Sequence, residues 1–79
     1  MPRYHFNVIY DGREIRDREG SELPDIEAAR IEAVADARAL MSEAVRNGWD
    51  ISGRSINICS GTGDILMTIN FSDAIKRLE

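Results

Sequence analysis

Apolar side chains recur at helical spacing through the middle of the chain, between Asp25 and Asn47. On a helical wheel, one arc collects Ile26, Ala29, Ala33, Val34, Ala37, Leu40, Met41, Ala44 and Val45. This spacing predicts one long helix, with Asp25 as its N-cap and Asn47-Gly48 as its C-terminal stop. Because alanine dominates the apolar arc, we expect a sheet to approach the helix closely.

Alternation of apolar and polar residues on both sides of this helix predicts β-strands. The clearest run is Arg3–Tyr10, and Asp11-Gly12 then favours a tight turn into a short, charged edge strand over residues 13–17. After the helix, residues 54–60 and 65–71 are predicted to form a hairpin through residues 61–64. Ser72 could cap a short C-terminal helix over residues 73–78.

The element order β-β-α-β-β predicts an α+β fold in which one long helix packs across one face of a four-stranded, mainly antiparallel sheet. A chain of 79 residues forms a single small domain, residues 1–79. We expect Ile65 and Phe71 to point inward with the other apolar residues of the last strand. The outer face is predicted to carry His5, Asn7, Ile9, Ser55, Asn57, Cys59, Leu66, Thr68 and Asn70.

Composition narrows the function classes. The net charge of -4, from 14 acidic and 10 basic side chains, opposes the binding of nucleic-acid phosphates. Cys59 is the single cysteine, which excludes an internal disulfide. No stretch approaches the ~18 apolar residues of a membrane span, and no signal region opens the chain. We therefore expect a cytoplasmic protein without membrane contact.

Short motifs follow one another in a set order along nearly the whole chain. They are Met1-Pro2-Arg3-Tyr4-x-Phe6-x-Val8, Asp11-Gly12, Asp17-x-Glu19-Gly20-x-Glu22-Leu23-Pro24-Asp25, Glu27-Ala28-Ala29-Arg30, Ser52-Gly53-Arg54 and Phe71-Ser72-Asp73-Ala74. With them the sequence resembles a family of short bacterial proteins catalogued as a domain of unknown function. The resemblance implies a small stand-alone domain without assigned catalytic residues.

Few residues suggest catalysis, metal binding or phosphate binding. His5 and Cys59 could approach each other on the outer face, but a nucleophilic pair needs an orienting third group, and none is identifiable. The carboxylates around the first hairpin do not have the spacing of an EF-hand loop, and Gly61-Thr62-Gly63 is typical of a hairpin turn rather than a phosphate loop. The sequence therefore predicts no catalytic residue, no metal site and no cofactor.

The leading hypothesis is a non-catalytic interaction or accessory domain that uses its outer sheet face or a strand edge to bind itself or another protein. The candidate interaction residues are Ile31, Trp49, His5, Ile9, Asn57 and Leu66. The alternative is a small nucleic-acid regulator of antitoxin-like type, for which Arg3, Arg13, Arg16, Arg18 and Arg54 would cluster at one end of the sheet. The net charge makes nucleic acid the less favoured partner.

Overall fold

The computed structural model describes residues 1–78 and contains one long helix packed against a five-stranded, mostly antiparallel sheet. The elements in chain order are β1 (Arg3–Tyr10), β2 (Arg13–Ile15), β3 (Ser21–Glu22), α1 (Ile26–Arg46), β4 (Ser55–Cys59), β5 (Ile65–Asn70) and a 3-10 turn (Phe71–Ala74). The predicted α+β class is confirmed. Within residues 1–78, no helix has the length and apolar character needed to cross a bilayer.

The strands lie in the order β2-β1-β4-β5, and β3 also pairs with β1. β3 is the strand that was not predicted, and it lies in a segment expected to be a loop. It pairs with the start of β1, where Arg3 is opposite Glu22 and Tyr4 is opposite Ser21. Since β2 and β3 pair with opposite ends of the same side of β1, the chain between them must bridge a gap along that strand.

Asp17 fills this gap. Its carboxylate accepts hydrogen bonds from the backbone N–H of Phe6, at 3.1 Å, and of Gly20, at 3.1 Å. The Phe6 N–H faces the β2 side of β1 and has no strand residue opposite it there, so the carboxylate takes the position of a missing strand acceptor. Asp17 was predicted to end the second strand, which instead ends at Ile15.

The helix begins and ends as predicted. Asp25 accepts a hydrogen bond from the Ala28 N–H at 2.8 Å. At the other end, the N–H of Trp49 donates to the Ala44 carbonyl and the N–H of Gly48 to the Val45 carbonyl, which is the Schellman arrangement. Gly48 has a positive φ of 85°, which suits a residue without a Cβ.

Alanine forms the contact between helix and sheet. Ala29, Ala33 and Ala37 have no exposed surface and pack with Ile56, Ile58 and Phe71 of the core. The small side chains let the helix backbone approach β4, as expected. Two members of the predicted apolar arc, Leu40 and Val45, are exposed, although Met41 between them is buried.

The end of the chain differs from prediction in two places. Ile58 pairs with Met67, but the next residue of β4, Cys59, pairs with Ile65, so a β-bulge leaves Leu66 of β5 without a partner in β4. Ile65 therefore turns away from the core and is 61% exposed. The predicted helix over residues 73–78 is instead the 3-10 turn Phe71–Ala74. The Arg38 side chain donates to the Ala74 carbonyl at 2.6 Å, and Ile75 after it is extended.

Candidate functional site

The structure brings four of the six predicted interaction residues to the outer face of the sheet. His5, Ile9 and Asn57 lie there by register, and Leu66 lies beside the bulge of β5, where it is 48% exposed. Ile31 is exposed on α1 and Trp49 is exposed after its end, so these two residues belong to other surfaces.

Polar side chains on this outer face largely satisfy one another. The Asn7 amide accepts a hydrogen bond from the Asp17 N–H at 2.8 Å and donates to the Cys59 sulfur at 3.5 Å. The Thr68 hydroxyl donates to the Asn57 amide oxygen at 2.8 Å. These bonds join β1, β4, β5 and the β2–β3 connection across the face, so the polar groups stabilise the sheet.

Cys59 and His5 lie opposite each other in neighbouring strands, as their positions suggested. The thiol is nearly buried, and burial, with a smaller contribution from Glu14, raises the pKa of Cys59. The Nδ1 atom of His5 donates to the Asp17 carbonyl oxygen at 2.7 Å, and no hydrogen bond joins His5 to Cys59 within residues 1–78. A raised thiol pKa is the reverse of what a nucleophilic cysteine requires.

Three carboxylates, those of Asp17, Glu32 and Asp36, line a hollow of about 440 Å³ between α1 and β1. Burial raises the pKa of Asp36, and the charges of Glu32 and Asp17 add to this effect. In the described part of the chain, no group of three or more His, Cys, Asp or Glu side chains could hold a metal ion.

The two borders of the sheet differ in chemical character. β2 is three residues long, and its Arg13 and Glu14 are charged. β5 has the sequence Ile-Leu-Met-Thr-Ile-Asn, without a charge, glycine or proline. No strand among residues 1–78 pairs with the side of β5 away from β4, and we call this side the β5 edge. Short, charged strands discourage pairing with other chains, whereas a long, uncharged border permits it.

A hollow of about 670 Å³ lies where the end of β1 meets the last turns of α1 and the loop that follows the helix. We call it the Trp49 groove. Its apolar walls are Tyr10, Leu40, Ala44, Trp49 and Ile51, and three carboxylates, those of Asp11, Glu43 and Asp50, also line it. Trp49 is 70% exposed, although the helix cap fixes its backbone. The exposed Leu40 is one wall of this groove.

A family model described as a domain of unknown function (DUF6894) matches residues 3–72. The chain belongs to the DUF6894 family. No curated protein and no solved structure matches it. The DUF6894 match includes all five strands and α1, so three features lie within the family domain: the β5 edge, the Trp49 groove, and the Asp17 carboxylate that bridges the Phe6 and Gly20 N–H groups, which we call the Asp17 bridge.

The nucleic-acid alternative required the arginines of this DUF6894 chain to gather at one end of the sheet, and they do not. Arg3 lies at the start of β1, where it forms an ion pair with Glu22, and Arg13 pairs with the opposite end of β1. Arg16 forms an ion pair with Glu14. Arg54 stacks on the Tyr10 ring, with 4.6 Å between its Cζ atom and the ring centre. Several of these guanidinium groups are therefore engaged within the domain.

Sequence reasoning missed the carboxylates beside Trp49 and the bridging role of Asp17. Asp11, Glu43 and Asp50 come from three separate segments, and each had an ordinary turn or helix-surface interpretation of its own. The uncharged character of β5 was visible in the sequence. Its position at the border of the sheet was not, because strand order depends on long-range pairing.

Proposed function

We propose that this chain is a non-catalytic, cytoplasmic protein-interaction domain that adds a partner strand to the β5 edge. The observation that carries the proposal is the contrast between the two borders of the sheet: β2 is short and charged, and β5 is six residues long and uncharged. An unprotected strand of this kind offers backbone hydrogen bonds to an incoming chain and apolar side chains beside them.

The backbone geometry of β5 supports this mode of binding. The N–H of Phe71 donates to the carbonyl of Arg54 at 2.9 Å, and the antiparallel register continues this alignment through Ile56–Ile69 and Ile58–Met67. Hydrogen-bonded and non-bonded pairs alternate along an antiparallel ladder. Backbone groups of Thr68 and Asn70 therefore point away from β4, toward the side on which a partner strand would lie.

Side chains at the same border favour a protein strand as the ligand. Leu66 and Ile65 are exposed beside the bulge, and Met67 and Ile69 are only partly buried against the core. A strand added along β5 would cover apolar surface on both faces of the sheet. The raised pKa of the buried Cys59 thiol supports a non-catalytic role.

Proline at position 68 tests the proposal directly. Thr68→Pro removes an N–H that points to the β5 edge and spares the hydrogen bonds between β4 and β5, since proline is tolerated on edge strands. Thr68→Val is the matched control, because it removes the hydroxyl bond to Asn57 and keeps the backbone N–H. Circular dichroism establishes that both variants are folded.

The readouts are the molar mass in solution at high protein concentration and the proteins retained from a nuclease-treated native lysate. We expect the original chain and Thr68→Val to form a dimer or a stoichiometric protein complex, and Thr68→Pro to lose it. A Thr68→Pro variant that associates as well as the original chain would refute binding through the β5 edge. A monomer that retains no protein would refute the interaction function, and retention of nucleic acid alone would favour the antitoxin-like alternative.

A further inference from the structure

Hydrogen bonds to backbone groups hold the loop that forms one wall of the Trp49 groove. The Trp49 N–H donates to the helix carbonyl of Ala44 at 2.8 Å. The Asp50 carboxylate accepts from the Ser52 N–H at 2.9 Å, and the Arg54 N–H donates to the Ile51 carbonyl at 3.1 Å. The backbone that carries the exposed indole is therefore held in place, and a ligand would meet a preformed loop.

The groove combines apolar walls with negatively charged side chains. We call the carboxylates of Asp11, Glu43 and Asp50 the acidic rim. Among residues 1–78, the only basic side chain that lines the groove belongs to Arg54, and its guanidinium stacks on Tyr10. Three carboxylates and one guanidinium give the lining a net charge of -2. Hydrogen bonds from Ser52 lower the pKa of Asp50, so this carboxylate stays ionised at neutral pH.

We propose that the Trp49 groove binds a basic segment of a partner protein, with an apolar side chain against Trp49 and Leu40 and flanking lysine or arginine side chains facing the acidic rim. An exposed tryptophan supplies a large, rigid contact area and a π face that attracts cations. Charge complementarity around an apolar contact provides selectivity for basic over acidic segments. A volume of about 670 Å³ accommodates a few side chains of such a segment.

This inference is independent of the proposed function at the β5 edge. The groove is built from the end of β1, the last turns of α1 and the loop that follows it, and no residue of β5 lines it. A partner strand on β5 and a basic segment in the groove would thus contact different surfaces. Thr68→Pro leaves the groove intact, so it should abolish the first interaction and keep the second.

Trp49 is the only tryptophan of the chain and therefore reports on the groove through its own fluorescence. The probe is a capped peptide with a central leucine flanked on each side by two lysines. Its counterpart has glutamate in place of lysine. With the lysine peptide at low salt, we expect a saturable blue shift of the emission that weakens as sodium chloride is added, because salt screens exposed charges. The glutamate peptide should produce no shift.

Charge-neutralising variants test the contribution of the acidic rim. The double variant Asp11→Asn/Glu43→Gln keeps the shape of both side chains, and asparagine tolerates the positive φ of 47° at position 11. We expect the lysine peptide to bind about 2- to 20-fold more weakly to it. The control Glu19→Gln/Asp73→Asn removes the same charge from positions that do not line the groove and should bind as the original chain does.

Two results would overturn the proposal. One is the absence of a saturable shift with the lysine peptide at low salt. The other is an equal loss of affinity in the rim variant and in the control, which would show that net charge alone attracts the peptide. Leu40→Ala provides a further check, because it keeps the fluorophore and removes an exposed wall of the groove. It should weaken binding without unfolding the domain.

Discussion

Replacing Asp17 with alanine removes the carboxylate that accepts a hydrogen bond from β1 in the gap between β2 and β3. The lost carboxylate leaves two backbone N–H groups, those of Phe6 and Gly20, without their partners at 3.1 Å each. Both bonds are partly buried, so water replaces the carboxylate incompletely. The β2–β3 connection would then be held to β1 only through its remaining bonds, among them that from the Asp17 N–H to Asn7.

The expected cost follows from the number and kind of bonds lost. A hydrogen bond to a charged group contributes about 1.5–3 kcal/mol, and partial exposure moves both bonds toward the lower value. We therefore expect Asp17→Ala to lower the free energy of unfolding by about 2–4 kcal/mol. The whole free energy of unfolding of a domain of this size is roughly 4–12 kcal/mol. The midpoint of thermal unfolding should fall by about 10–30 °C.

Urea and thermal unfolding followed by circular dichroism measure this loss. Glu19→Ala is the matched control, since Glu19 lies in the same connection, is exposed and makes no side-chain hydrogen bond in the described part of the chain. It should change stability by less than about 0.5 kcal/mol. Amide exchange at Phe6 and Gly20 should accelerate in Asp17→Ala. A variant within about 0.5 kcal/mol of the original chain would refute the bridging role.

Three further predictions concern single side chains. Burial and the Glu32 charge raise the pKa of Asp36, so the folded state binds its proton more tightly than the unfolded state. Asp36→Asn should therefore stabilise the domain at pH 7, by less than about 1 kcal/mol because the site is partly exposed, and urea titrations should show this gain disappear below the ordinary aspartate pKa of 3.8. Gly20→Ala should cost about 1–3 kcal/mol in thermal unfolding, since φ is +68° and the new Cβ would lie 2.8 Å from the Tyr4 carbonyl oxygen. Cys59 should react with iodoacetamide at pH 7 more slowly than free cysteine, and an equal or faster rate would contradict its burial and raised pKa.

Local signals in the sequence accounted for most secondary structure. β1 spans the predicted residues, and α1 lies between its predicted caps, because alternation, helical spacing and capping depend on neighbours along the chain. The burial of Ala29, Ala33 and Ala37 followed from the same helical pattern. Of the candidate interaction surfaces, sequence reasoning identified the exposed Trp49 and the outer-face residues. It did not identify the charges that surround Trp49.

Features that depend on contacts between distant segments could not be read from the sequence. The bulge that turns Ile65 outward depends on how β4 and β5 align, and the Asp17 bridge exists because β2 and β3 leave part of β1 unpaired. Gly20 resembles an ordinary loop glycine until the fold places the Tyr4 backbone against it.

The sequence by itself determined the order of α1 and the four strands β1, β2, β4 and β5, the helix bounds, the alanine contact face and the absence of charge in β5. Each of these depends on local backbone preference or on residue type. The tertiary structure decided that β5 lies at a border of the sheet and that Asp11, Glu43 and Asp50 meet around Trp49. Strand order and the convergence of separate segments arise from long-range packing, where the free energy belongs to pairs of distant residues rather than to any one stretch of chain.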